Sequence, residues 1–384
     1  MSVTDTAANL KTVRPRKAVL EMPEYHPPLA GRTALRLDFN ENTFGASQRV
    51  MERLRTVTAE GLTKYPEREP VERIVAKHFE LQTEQVLLTN GVDEAIHLMC
   101  CAFLEADDEA LIATPSFFMY DVSVQMMTPH LRKVQADATL EFPFERFMAS
   151  ITERTKLIIV ASPNNPTGSV VGREHLLAIA SAAPQAVLMV DEAYYHFDGA
   201  SVMDDLGSVP NMVVARTFSK AYGLANLRIG MLAGNAEVLK YVRKVSSPYN
   251  VNGVALDCLP VALADQEYVA WYSEQVRVGR ERMMDGLREL GVPFFPSHAN
   301  FVLMNIGPKH KELVQAMRAN GVLLRDRSAD PGCDGFVRIT IGVEEHVTRG
   351  LAALKISLDE IGWKKQQVGE AAGHQIGDGV REFE

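Results

Sequence analysis

The chain has 384 residues, 46% of them hydrophobic and 23% charged, with a formal net charge of −9. At ~150 residues per domain that is room for two domains and a substantial core, in a composition typical of soluble globular proteins. The acidic balance speaks against a nucleic-acid partner, which needs a basic patch, but not against a small anionic substrate held by local arginines.

Residues 1–20 form a polar arm with no apolar signal core. No run approaches the ~20 apolar residues of a membrane span, so the expectation is a cytoplasmic protein with no membrane partner. Cys100, Cys101, Cys258 and Cys333 show no C-x-x-C spacing; free thiols are expected rather than disulfides or a zinc site, and no metal.

From residue 86 onward, short apolar runs alternate with helix-length segments. Strands are predicted at 86–89, 110–113, 157–161, 186–190, 212–215 and 229–233, with a helix at 95–104. Such apolar strands are expected to be buried on both faces, in a mostly parallel sheet with helices on each side. Residues 254–290 read as helical and long enough to bridge domains. Beyond Gly291, strands at 301–304, 322–324 and 337–341, a helix near 309–319 and a last helix from Glu344 suggest a smaller α/β unit. The expected division is an arm (1–20), a small domain (21–60 and 291–361), a large domain (61–290) and a polar tail (362–384). The tail has few large apolar residues and is expected to be disordered.

The densest chemistry is in the segment R-T-F-S-K-A-Y-G-L-A-N-L-R-I-G, residues 216–230. Lys220 follows a strand-like run in a loop of small residues, where an amine can be partly desolvated and kept neutral to attack an aldehyde. Thr217, Ser219 and Arg228 supply hydroxyls and a guanidinium, the donors that a phosphate takes. Gly91, Val92 and Asp93 lie where a strand passes into a helix, and free N–H groups at a helix start bind anions. Asp191 ends an apolar run, at the edge where open α/β sheets keep ligands; once buried it needs a cationic partner. Ser162–Gly168, S-P-N-N-P-T-G, is a stiff loop at another strand end, with Asn165 offering an amide. An imine-forming amine, a phosphate cup and a buried carboxylate together describe a site for pyridoxal 5'-phosphate (PLP).

These segments resemble the fold-type I aminotransferases of class I/II, and within them the histidinol-phosphate aminotransferase family, over residues 25–358. The resemblance implies a large PLP-binding domain with a mostly parallel seven-stranded sheet, plus a smaller α/β domain built from both chain ends. It implies Lys220 as the Schiff-base lysine, Asp191 as partner of the pyridine nitrogen, and Tyr194 and Asn165 as ligands of the phenolic oxygen. Gly91, Val92, Asp93, Thr217, Ser219 and Arg228 fall at the phosphate positions. Phe117 falls where a ring stacks on the cofactor, keeping the stacking of the commoner tyrosine without its hydroxyl. Tyr65 resembles a residue that reaches the neighbouring subunit's cofactor phosphate, which implies a homodimer. Arg338, Arg325, Tyr25 and Asn165 match substrate-binding positions. Glu24 separates Tyr25 from the proline that the family places beside it, and Asn226 stands where the family usually has glycine.

The implied reaction is transamination of L-histidinol phosphate with 2-oxoglutarate, giving imidazole acetol phosphate and glutamate. Two alternatives use the same scaffold: an aromatic amino acid aminotransferase, and a PLP decarboxylase of a phosphorylated amino acid. A nicotinamide dehydrogenase is disfavoured by the lack of G-x-G-x-x-G. A PLP-binding regulator is disfavoured because the match starts at Tyr25, without room for a DNA-binding module.

Overall fold

A computed structural model describes residues 14–22 and 33–365. Its strands in chain order are β1 (Leu35–Arg36), β2 (Val86–Thr89), β3 (Glu109–Thr114), β4 (Leu131–Gln135), β5 (Thr155–Ala161), β6 (Val187–Asp191), β7 (Met212–Thr217), β8 (Gly230–Gly234), β9 (Phe294–Phe295), β10 (Phe301–Asn305), β11 (Val322–Leu323), β12 (Arg325–Asp326) and β13 (Phe336–Thr340). Seven of them form one sheet in the order β2-β8-β7-β6-β5-β3-β4. Neighbours run parallel, except that β8 is antiparallel to both β2 and β7.

Strand periodicity explains why this sheet takes helices on both faces. Along β5, Leu157 and Ile159 pack into one apolar cluster while Ile158 and Val160 pack into another. Leu188 and Val190 of β6 follow the second pair, and Val187 and Met189 the first. Each such aliphatic side chain contributes roughly 1.5–3 kcal/mol by leaving water. The helix Gly91–Phe103 packs against β7 and β8, and Arg173–Ala182 against β6. One strand escaped the sequence pattern. β4 reads L-R-K-V-Q at the sheet edge, with only Val134 buried, so it carries no continuous apolar run.

A separate antiparallel sheet has the order β12-β13-β10-β9, and β1 pairs in parallel with β11. The helix Glu344–Glu360 packs on the long helix Gln266–Leu290, which also touches β10. The expected continuous helix over 254–290 is two helices, Gly253–Ala264 and Gln266–Leu290. Asp265 interrupts them with φ −100° and ψ 57°, outside helical geometry. Aspartate favours such breaks because its carboxylate competes for nearby backbone groups.

Residues 14–22 of the N-terminal arm include a short helix, Lys17–Glu21. Residues 1–13 and most of the expected tail (366–384) lie outside the described residues. Among the described residues all four cysteines are free, and no helix is long and apolar enough to cross a membrane.

Candidate active site

β5, β6 and β7 end together in Ala161, Asp191 and Thr217, all of which line a cavity of about 820 Å³. This is the carboxyl edge of the parallel sheet. Asn40, Arg325 and Arg338 close the cavity from the side of the smaller sheet.

Lys220 lies three residues beyond β7 and lines this cavity half-buried. Its Nζ donates to the Phe39 carbonyl at 3.2 Å and stands 5.7 Å from the centre of the Tyr194 ring. An amine held by a neutral carbonyl in a protein cavity is well placed to meet an aldehyde.

Asp191 is buried and accepts hydrogen bonds from Tyr120 Oη at 2.7 Å and from the Ala193 N–H at 3.0 Å. Burial pushes its carboxyl up to about 6, against the opposing pull of those two donors; the charges of Asp93 and Glu192 also push it up. Among the described residues its hydrogen-bond partners are both neutral, and a buried carboxylate in this setting suits a cationic partner such as a protonated pyridine nitrogen. Tyr120 was not foreseen as a site residue. It sits three residues after Phe117, and the two rings meet edge to face with centroids 5.7 Å apart.

Tyr194 Oη accepts from Asn40 Nδ2 at 3.0 Å. Asn40 is itself pinned in the left-handed region at φ 53°. Thr340 and Asn300 hold it: its N–H donates to Thr340 Oγ1 at 3.0 Å, its Oδ1 accepts from that hydroxyl at 3.2 Å, and its carbonyl accepts from Asn300 Nδ2 at 3.1 Å. Asparagine tolerates this backbone better than most residues.

Gly91, Val92 and Asp93 open the helix Gly91–Phe103, so their N–H groups have no partner within the helix. Gly91 has φ +76°, and a Cβ there would lie 2.7 Å from Arg228 Nη2. Arg228, also left-handed at φ 50°, ion-pairs with Asp93 at 2.8 Å. Thr217 Oγ1 accepts from the Ser219 N–H at 3.1 Å. Backbone donors, two hydroxyls and a guanidinium at one edge of the cavity fit a phosphate group. Asn226 sits in the turn Ala225–Leu227 and lines the cavity from an exposed position.

At the far end, Arg338 is only 4% exposed. It donates from Nη1 to Asn165 Oδ1 and from Nη2 to the Asp38 carbonyl at 2.8 Å. Burial pushes its guanidinium down to about 9, still a cation at neutral pH, and the nearby Arg327 and Arg325 push the same way. Arg325 is its register partner across the β12–β13 ladder. Phe39 lies between two cations, with Arg36 and Arg325 at 5.3 and 5.4 Å from its ring centre.

Tyr65 is not brought to this cavity. It is 79% exposed and stacks on Tyr249 at 4.5 Å. Tyr25 lies outside the described residues.

Residues 32–354 match the family described as aminotransferase class I and II. A histidinol-phosphate aminotransferase 2 of Pseudomonas aeruginosa is 35% identical over 83% of this chain and 88% of its own length. A histidinol-phosphate aminotransferase of Caldanaerobacter subterraneus is 32% identical over 80% of this chain and 88% of its own. Among solved structures, a histidinol-phosphate aminotransferase of Sinorhizobium meliloti in complex with pyridoxal-5'-phosphate shares the fold. Its TM-score is 0.82 at 24% identity, over 91% of this chain and 98% of that one. A cavity whose lysine, buried carboxylate and phosphate cup fit that cofactor agrees with these matches. The chain belongs to the PLP-dependent aminotransferases of class I and II and, within them, to the histidinol-phosphate aminotransferase family.

Proposed function

We propose that this chain transfers the amino group of L-histidinol phosphate to 2-oxoglutarate, giving imidazole acetol phosphate and glutamate in histidine biosynthesis. The observation that carries this reading is the pairing of Arg325 with Arg338 at one end of the cavity. Two guanidiniums side by side suit a phosphate monoester dianion better than one carboxylate. The activity named for the relatives points the same way.

PLP, when bound, supplies an aldehyde for the substrate amine and a protonated ring that withdraws electrons. Lys220 would hold it covalently. Gly91, Val92, Asp93, Thr217, Ser219 and Arg228 would hold its phosphate. Asp191 would serve its ring nitrogen, Tyr194 and Asn165 its phenolic oxygen, and Phe117 its ring face. Lys220 Nζ also serves as general base for the proton on the substrate α-carbon. Asp191 keeps a negative charge at the ring nitrogen, which Tyr120 orients. Arg338 and Arg325 hold the phosphate of one substrate, and Arg338 holds the α-carboxylate of the other. Tyr25, from the N-terminal segment, adds to this subsite. The two half-reactions share one site in a ping-pong cycle.

The same reading includes a homodimer in which Tyr65 reaches the neighbouring subunit's cofactor phosphate. Its support is the exposure of Tyr65, Leu62 (67%) and Tyr249 (54%) away from this chain's own cavity. It also keeps the division into a small domain (21–60 and 291–361) and a large one (61–290), and a cytoplasmic location.

The test is the rate of glutamate formation from 2-oxoglutarate with histidinol phosphate as donor. Turnover with phenylalanine or tyrosine alone would rule out the substrate assignment. Release of carbon dioxide from a phosphorylated amino acid would point to a decarboxylase instead.

A further inference from the structure

The substrate end of the cavity holds a third arginine, Arg327, two residues beyond Arg325. Residues two apart in extended chain share a face. Arg325 and Arg327 both line the cavity, while Asp326 between them meets His310 Nδ1 at 3.0 Å. Arg325 is opposite Arg338 in the ladder, and directly opposed residues also share a face. Thus three guanidiniums lie on one face of the smaller sheet, at one end of one cavity.

Arg327 has little exposure of its own, 11% of its side chain. The Arg327 N–H is tied to the Phe336 carbonyl at 2.9 Å, which fixes the stem beside β13. Its guanidinium ion-pairs with Asp330, three residues on. The Nε atoms of both Arg327 and Arg338 are buried without a hydrogen-bond partner. Both Nε atoms are turned away from the cavity, so it is the outer guanidinium nitrogens of these lining arginines that a ligand can reach. Burial pushes the Asp330 carboxyl above its ordinary value, and the charges of Arg327, then Arg338 and Arg325, oppose that rise. Its ion pair with Arg327 places a negative charge beside the group.

We propose that Arg327 completes a three-arginine subsite for the phosphate dianion of the substrate, and that Asp330 tunes the subsite by offsetting part of its charge. This rests on the phosphate-ester reading above. Arg327 then selects doubly charged groups over singly charged ones, because only a dianion offers enough oxygens and charge for three guanidiniums. Asp330 keeps the subsite from holding anions so tightly that the phosphorylated product lingers.

The two residues therefore have opposite expected effects, which a merely structural pair would not show. Inorganic phosphate is titrated calorimetrically into the PLP-loaded enzyme, where the cofactor's own phosphate already fills the cup at Gly91 and Arg228. Arg327→Gln is expected to weaken phosphate binding roughly tenfold, and Asp330→Asn to tighten it several-fold. Arg327→Lys, which keeps the charge without the fork, should fall between Gln and wild type. Steady-state assays should show the same order in KM for histidinol phosphate. Equal phosphate affinity in wild type and Arg327→Gln, weaker binding in Asp330→Asn, or no binding to wild type overturns the proposal. If the phosphate affinities follow the expected order but histidinol phosphate is not turned over, the subsite stands and the substrate reading fails.

Discussion

Arg325 and Arg338 are register partners on the antiparallel strands β12 and β13, both lining the end of the cavity away from the phosphate cup. Directly opposed like charges destabilise a sheet, a cost that an anion bridging the pair would offset. Arg338 is the more deeply set of the two and is braced by Asn165 and the Asp38 carbonyl. The two therefore have separable roles. Arg325→Gln should lower kcat/KM for histidinol phosphate by roughly 10–100-fold, chiefly through KM, and affect 2-oxoglutarate much less. Arg338→Lys should impair both half-reactions if, as proposed, both substrates use its fork. Steady-state kinetics with each substrate varied in turn separates the two patterns.

Asp191 has a folded-state pKa raised from 3.8 to about 6 by burial. The cofactor-free protein therefore takes up a proton there as the pH falls through about 6, and burial of the charge favours the fold less above that pH than below it. A protonated ring nitrogen needs the carboxylate. PLP affinity of the cofactor-free protein should be level above pH 7 and drop as the pH falls below about 6. Asp191→Asn should bind weakly throughout and lose this step. Absorbance titrations with PLP at several pH values measure both.

Tyr120 gives Asp191 its shortest hydrogen bond, at 2.7 Å, and that bond lowers the carboxyl's pKa. Tyr120→Phe should thus move the midpoint of the same pH step upward. The cost in PLP affinity at neutral pH should be about two- to tenfold, the worth of one hydrogen bond to a charged group. An unmoved midpoint would mean that Tyr120 only fills space.

Gly91 combines a left-handed backbone with an approach of 2.7 Å between a hypothetical Cβ and Arg228. Gly91→Ala should strain the helix start by about 1–3 kcal/mol and displace Arg228. Equilibrium dialysis should show PLP affinity reduced by at least roughly tenfold, with an unchanged circular dichroism spectrum.

The large sheet was legible because β2, β6, β7 and β8 are buried along their whole length and carry apolar runs, broken only at the polar carboxyl ends of β2, β6 and β7. β4 was not, since an edge strand is free to carry Arg132 and Lys133 toward solvent. The motif residues Lys220, Asp191, Tyr194, Asn165, Arg228 and Arg338, singled out by motif and by the family resemblance, all line one cavity. What the chain order hid were contacts between distant segments. Tyr120 reaches Asp191 across 71 positions, and Asn40 reaches Tyr194 across 154. Arg327 is different: its alternation with Arg325 was visible in R-D-R, but only the β12–β13 register shows that both share a face with Arg338. The break at Asp265 was hidden because apolar periodicity continues on both sides of it.

If Lys220 and the arginine pair act as proposed, this enzyme takes an amino group from a phosphate monoester. The most direct measurement is a single turnover of the PLP-loaded enzyme with histidinol phosphate and no 2-oxoglutarate, followed by cofactor absorbance in the presence and absence of competing phenylalanine. Histidinol phosphate should bleach the yellow cofactor band, phenylalanine should compete weakly, and Lys220→Ala should neither bleach nor turn over. Bleaching by phenylalanine but not by histidinol phosphate, or undiminished turnover by Lys220→Ala, would contradict it.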